Sequence, residues 1–240
     1  MSESNLIADP MRRQERKADR ERVILEWLAR HPWSTTELVG RRLGLSRHRA
    51  ASRLLRRLAD RQLVSSAKLA APAGTLSTWG ITAHGLAWVD DPMRRPPYEP
   101  SKVAHSTIPH VLCVQRAHLC ALEAGCSVAL EHELERDTVP HTRPDLVISD
   151  GETAAAVEVE LTIKTPNRYR DLMVAHIKQI QGDAYKRVLY LTEAPPLADR
   201  LRRLFERLGY VRTEGKRHPV GEKQLKPFRF QAIDAWDGRP

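Results

Sequence analysis

Three acidic residues on two neighbouring stretches carry the chemistry to follow first. Asp145 ends Thr142-Arg143-Pro144-Asp145, and thirteen residues later Glu158-Val159-Glu160 begins. A Pro-Asp on one strand and a Glu-x-Glu on the next present carboxylates as a divalent cation, Mg²⁺ or Mn²⁺, requires. Leu146-Val147-Ile148 leads into Ser149-Asp150-Gly151-Glu152, and Asp-Gly is a short-range turn signal, so the two stretches read as a hairpin. Ala154 to Leu161 alternates, with Ala155, Val157, Val159 and Leu161 on one face and Ala156, Glu158 and Glu160 on the other. A loop symmetric about Asp150-Gly151 sets Asp145 opposite Ala156 and diagonal to Glu158. Diagonal neighbours lie roughly 7–8 Å apart at the backbone, close enough for two carboxylates to share one cation. An amphipathic strand with its glutamates merely facing water has the same pattern.

The residues that follow favour the chemical reading. The strand continues through Leu161-Thr162-Ile163 to Lys164, which adds a cation beside the acids. Thr165-Pro166 then opens a helix carrying Arg168 and Arg170, with Thr165 as N-cap. A helix amino terminus flanked by arginines favours phosphate. Acids for a metal beside donors for a phosphate make a phosphodiester site. Asp145 and Glu158 are its metal ligands, and Glu160 orients water or completes the metal shell. Lys164 offsets charge building on the scissile phosphate, and Arg168 holds the adjacent one.

Bulk properties agree with a nucleic-acid partner. The 240 residues leave room for two modest domains, with a net charge of +9 and a pI near 9.8. Residues 1–100 hold 18 basic against 11 acidic side chains, and residues 101–240 hold 21 against 19. A basic first half suits a phosphate backbone. Cys113, Cys120 and Cys126 lack metal-ligand spacing, and Cys113 and Cys120, seven apart on one helix, read as sharing a buried face. His110, His118 and His176 show no pairing that suggests zinc. No signal peptide or membrane-spanning apolar run is present, so a cytoplasmic protein without membrane contact is expected.

The chain organises around a Pro-rich segment. Met1 to Pro10 is polar and is expected to be disordered; residues 11–90 form a first domain, 91–104 a linker with two adjacent arginines, and 105–240 a second domain. In the first, a charged helix from Met11 to Arg30 is followed by a short one opening at Ser34-Thr35 and closed by Gly44. Ser46 caps a third helix, Arg47 to Arg61, buried along Ala50, Leu54, Leu55 and Leu58. This is a helix-turn-helix. Residues 62–69 and 75–81 form a wing, and Thr82 starts a last short helix with Trp88 packing inward. Winged helices also serve as protein-interaction modules, but the arginine density of the third helix favours double-stranded DNA. Arg47, His48 and Arg49 would meet base edges, and Arg53, Arg56 and Lys68 phosphates.

The second domain reads as helix 108–124, strands 127–135, 143–148 and 154–163, helix 166–181, buried strand 187–191 and helix 196–208. Tyr169 falls on the apolar stripe of its helix, a packing position rather than that of a nucleophile. Residues 212–226 read as a solvated basic loop open to contact with DNA, and 228–236 as an edge strand. Helix, three strands, helix, strand is the αβββαβ order of a restriction-endonuclease-like fold, so the fold class is α/β (α+β), a mixed sheet between helices behind a winged helix.

Taken together, the chain resembles the bacterial replication-relaxation family, which includes nuclease-fold (PD-(D/E)xK-like) plasmid mobilisation relaxases. The matching pieces are Trp79-Gly80-Ile81-Thr82-Ala83-His84-Gly85, His110, Glu133, Arg143-Pro144-Asp145, Glu158-Val159-Glu160-Leu161-Thr162, Lys164, Arg168-Tyr169 and Val188-Leu189-Tyr190-Leu191. The usual superfamily signature has lysine two residues after the glutamate, where this chain has Glu160; Lys164 is positioned to supply the ammonium. Gln181 to Tyr185 echoes a Gln-xxx-Tyr motif of some nucleases. The resemblance implies a sequence-specific, Mg²⁺- or Mn²⁺-dependent DNA-nicking protein of a plasmid or integrative element, with dimerisation and conjugation or replication proteins as further partners. The alternative is a non-enzymatic winged-helix regulator or replication accessory protein with an inactive nuclease-like domain.

Overall fold

The computed structural model describes residues 9–71, 74–90, 94–134 and 143–240. These residues form two compact units that divide between Ile108 and Pro109. The sequence expectations for residues 1–8, the wing tip at 72–73, and segments 91–93 and 135–142 fall outside the described residues.

The first unit begins with α1 (Pro10–Arg30), capped by the Asp9 carboxylate, which accepts from the Met11 N–H. Its apolar residues come late, and burial follows them: Ile24, Leu25, Trp27 and Leu28 are all inside. A two-residue strand, β1 (Ser34–Thr35), leads into α2 (Thr36–Arg42), with Thr35 accepting from the Leu38 N–H as N-cap. α3 (His48–Asp60) then packs through Ala51, Leu54, Leu55 and Leu58. Two expectations are corrected here. Arg47, not Ser46, holds the N-cap position, and without a side-chain bond. Starting the helix there puts Ala51 rather than Ala50 on the buried stripe, because the face is set by the interval back from Leu54, Leu55 and Leu58.

The antiparallel strands β2 (Val64–Ala71) and β3 (Gly74–Ile81) follow, and β3 also pairs with β1. Two indole N–H groups lock the sheet side to the helices: Trp27 donates to Ser34 Oγ and Trp79 to Thr36 Oγ1, each at 3.0 Å. α4 (Ala83–Leu86) is a single turn on the Thr82 cap. Trp88 lies beyond it and is 61% exposed, contrary to expectation, because Leu86 and Val89 already fill the core on that side. Nor is the whole Pro-rich segment free. Arg95 donates its backbone N–H to Ala29 and its Nε to Arg30, while Tyr98 donates its N–H to Ile81 and shares a 2.7 Å hydroxyl bond with Thr78.

In the second unit, α5 (Ile108–Glu123) covers one face of a five-stranded sheet of order β10-β7-β6-β5-β4. The strands are β4 (Ser127–Leu130), β5 (Leu146–Ser149), β6 (Ala154–Val159), β7 (Arg187–Thr192) and β10 (Phe228–Ala232). β4, β5 and β6 pair antiparallel, whereas β6, β7 and β10 run parallel. Parallel neighbours need crossovers. α6 (Pro166–Gln181) makes the first, and α7 (Pro195–Glu206) with the segment after it makes the second. α6 and α7 bury Tyr169, Leu172, Met173, Leu201 and Phe205 against the face opposite α5. β4 and β6 are shorter than the sequence suggests: β4 turns into a 3₁₀ segment at Glu131–Glu133, and β6 stops at Val159. Residues read as a loop instead form a hairpin, β8 (Tyr210–Thr213) and β9 (Lys216–Pro219), followed by the one-turn α8 (Glu222–Leu225).

The Trp-Gly-Ile-Thr-Ala-His-Gly segment has a steric explanation. A Cβ on Gly80 would fall on the Tyr98 ring, and one on Gly85 on the Leu63 carbonyl oxygen. Gly80→Ala should therefore expel Tyr98, break its Thr78 bond and destabilise the first unit by about 1–3 kcal/mol, as overpacking does. Thermal unfolding of the variant measures this, and an unchanged midpoint would show that Tyr98 is not a structural clamp.

Candidate functional site

The acids meet by a different register from the symmetric one. Asp150 Oδ1 accepts from the Glu152 and Thr153 N–H groups, which widens the connection to four residues and holds the Asp150 carboxyl below its ordinary range. Ser149 consequently pairs with Ala154 and Leu146 with Val157. Continued one step, this register brings Asp145 directly opposite Glu158 rather than opposite Ala156. Directly opposed residues share a face and lie closer than diagonal ones.

That face is not solvated. Ala155, Ala156 and Val157 are all fully buried, since helices cover both sides of the sheet, and the acids lie at its edge of burial. Asp145 Oδ2 accepts from the Val159 N–H at 2.8 Å and lies 3.3 Å from His110 Nε2. The Asp145 carboxylate raises the His110 pKa, burial of the imidazole opposing it. Glu158 Oε1 lies 3.1 Å from Nε2 of the fully buried His176, at ion-pair distance though outside hydrogen-bond alignment. Burial pushes the Glu158 carboxyl up despite that histidine. His176 Nδ1 in turn shares a 2.7 Å bond with the Tyr185 hydroxyl. Tyr190 pairs with Glu158 across β6 and β7, and its buried hydroxyl has no hydrogen-bond partner among the described residues.

Glu160 is occupied elsewhere. It is buried at 4% exposure, and its Oε2 accepts from the Tyr169 hydroxyl at 3.0 Å and lies 3.2 Å from Lys164 Nζ. Lys164 is not on β6, as the continued strand would have it, but in the connection to α6. There its own N–H donates to Tyr169 Oη, and its charge acts on both His110 and Glu158. Tyr169 is buried as its stripe predicts, and burial raises its phenol pKa well above the ordinary range. Arg168 stands exposed in the first turn of α6, behind the Thr165 cap. The structure thus joins Asp145 to Glu158 and Glu160 to Lys164. It adds His110 and His176, which residue spacing does not assign to the acids. A histidine in the first turn of α5 and another on the covered face of α6 are separated from their acids by 35 and 18 positions, so no local pattern announces the pairing.

Among the described residues, no group of three or more His, Cys, Asp and Glu side chains is arranged to hold a metal. In the first unit, Arg47, His48, Arg49, Arg53 and Arg56 are exposed and line a concavity of about 630 Å³ on α3; Lys68 is exposed on β2.

A pH dependence follows from Glu158. Its folded-state pKa lies above the ordinary 4.5, so the fold favours the neutral acid. That contribution is complete below the ordinary value and is lost as pH rises through the raised one. In metal-free buffer Glu158→Gln should be more stable than wild type near pH 8, and the two should converge near pH 4. Denaturant unfolding at both pH values measures the difference; a variant weaker than wild type near pH 8 would mean that the His176 pairing outweighs burial.

No helix among the described residues is long and apolar enough to cross a membrane. No curated protein and no solved structure matches the chain. The sequence model of the replication-relaxation family matches residues 25–183, well over half the chain, and that span contains α3, His110, both acid groups, Lys164 and His176. The chain therefore belongs to the replication-relaxation family, which ties it to replication or mobilisation of a plasmid or similar element.

Proposed function

We propose that this protein binds double-stranded DNA through a winged helix and nicks one strand with a restriction-endonuclease-like second unit. The observation that carries the reading is the opposition of Asp145 and Glu158 across the β5–β6 register, with Lys164 charge reaching the same place. Support for the winged helix comes from α2, a Gly44 turn, the arginine-bearing α3 and the β2–β3 hairpin in that order. Support for the nuclease-like core comes from the α5-β4-β5-β6-α6-β7 order with its antiparallel and then parallel pairing.

The residues fit a divalent cation that keeps much of its water. Mg²⁺ is ordinarily held by one or two carboxylates with waters completing an octahedron, so a closed three-ligand cage is not required. Asp145 and Glu158 would hold it, and the unpartnered Tyr190 hydroxyl beside Glu158 is a polar atom that a water entering there would satisfy. Such an ion supplies an activated water and stabilises charge on phosphorus. The protein's own part is positioning. His110 and the Val159 N–H fix the Asp145 carboxylate, His176 fixes Glu158, and Lys164 and Arg168 face the phosphate charge. Glu160 holds Lys164 in place through Oε2 instead of orienting water.

One observation favours a second reading. Every acid here already has an internal partner, which a non-enzymatic DNA-binding regulator would need and a cation site would not.

Asp145→Asn and Glu158→Gln should each eliminate Mg²⁺- or Mn²⁺-dependent conversion of cognate supercoiled plasmid to open circles while leaving duplex binding intact. Glu160→Gln should be milder, slowing turnover through a loosened Lys164. Wild-type protein that never nicks, with acid variants active in cells, would install the regulator reading. Separately, neutralising Arg47, Arg49, Arg53 and Arg56 together should abolish the duplex mobility shift. Wild-type binding should fall about 10³–10⁵-fold between roughly 50 and 200 mM salt if about six to ten phosphates are contacted.

A further inference from the structure

We propose that the β8–β9 hairpin is a second grip on the phosphate backbone of DNA, fastened to the amino end of α6 beside the acid pair. The inference rests on the DNA-binding reading above but involves residues outside the family match, which ends at Asp183.

The hairpin is built for a task other than packing. Its turn is Glu214-Gly215, both with positive φ (53° and 77°), the two-residue geometry that matches strand twist. Arg212 pairs directly with Arg217, and Thr213 with Lys216. Like charges directly opposite are destabilising, and here two guanidiniums face each other on an exposed ribbon. Among the described residues no carboxylate forms an ion pair with Arg212, Lys216 or Arg217. All of Lys216 to Pro219 is exposed. A polyanion lying across the ribbon would remove this repulsion, and Glu214, at the tip, is its sole acid.

A two-stranded hairpin alone is marginal in water, so something must hold this one. Val211 roots it in the α6–α7 core. Arg170 does the rest. Its Nε donates to the Tyr210 carbonyl at 3.0 Å and its Nη2 to the Leu208 carbonyl at 3.1 Å, while Nη1 donates to Asn167 at 2.7 Å. The Tyr210 ring has Arg170 at 4.4 Å and Arg217 at 4.5 Å from its centroid, with Arg212 at 5.9 Å. Cations stacked on one aromatic ring are held in place by its face and still offer their N–H groups outward. The neighbouring residue on α6, Tyr169, holds Glu160, and Arg168 stands exposed between Thr165 and the clamp. One helix end thus carries both the hairpin and the Lys164–Glu160 pair, so a backbone held by the ribbon is held in register with the acids.

The test compares full-length proteins on one duplex over a range of salt. Arg212→Gln, Lys216→Gln and Arg217→Gln together should flatten the plot of log affinity against log salt by about two to three, at roughly 0.9 per phosphate contact. Arg200→Gln, Arg203→Gln and Arg207→Gln, removing the same charge from α7 and its C-cap, should change it far less. The hairpin variant should melt at or above the wild-type temperature, since its facing charges are gone; a purely structural role predicts a lower one. A wild-type slope in the hairpin variant, with binding still abolished by the α3 substitutions, overturns the hairpin and leaves the main reading standing. Failure of wild type to bind any duplex overturns the DNA reading itself. Equal competition by poly-glutamate at matched charge concentration would reassign the ribbon to acidic proteins.

Discussion

Two carboxylates brought face to face where helices cover both sides of a sheet repel each other, and water is poorly placed to screen them. The second unit is arranged around that constraint. Each acid receives a partner from a different element: α5 gives His110 to Asp145, α6 gives His176 to Glu158, and the β6–α6 connection gives Lys164 to Glu160. The elements that cover the sheet thus also supply the acids with their partners. Asp145 and Glu158 are each under a fifth exposed, so removing one partner leaves a charge with little solvent to take over.

The position of Lys164 outside β6 has a local cause. With Glu160 two residues after Glu158, β6 cannot carry an ammonium on its acid face. The chain instead leaves the strand at Val159, and the following turn brings Lys164 back onto Glu160, with the Tyr169 hydroxyl joining them. A buried glutamate becomes the anchor for the cation. In the first unit the division of labour is simpler: α3 turns one face inward through Ala51, Leu54, Leu55 and Leu58 and leaves its cations outside.

Much of the architecture is legible in the sequence because hydrophobic period and caps act locally. α6 runs from Pro166 to Gln181 as Thr165-Pro166 and its stripe predict, and the buried β7 and the edge strand β10 stand where apolar runs place them. The departures have local causes as well. Asp150 commits its side chain to two N–H groups and so moves each partner on β6 two residues along, which composition does not reveal. The hairpin at Glu214-Gly215 carries a weaker turn signal than Asn-Gly or Asp-Gly, and its strands are basic rather than alternating. Trp88 looks like core because of its type, yet one turn of α4 cannot rotate it inward. The acids themselves are readable from sequence; their pairing with histidines from distant helices is not.

The edge strand has a consequence for synthesis. Trp236 fills the core under α5, Cys126 Sγ contacts the Gly238 carbonyl, and β10 completes the sheet, so the second unit needs residues 228–238 before it can close. The elements of the first unit all precede Pro109. At the ~5–20 residues per second of translation, roughly ten seconds separate the two events. During that interval a nascent chain already contains its arginine helix, while the sheet beside the acids still lacks its edge strand.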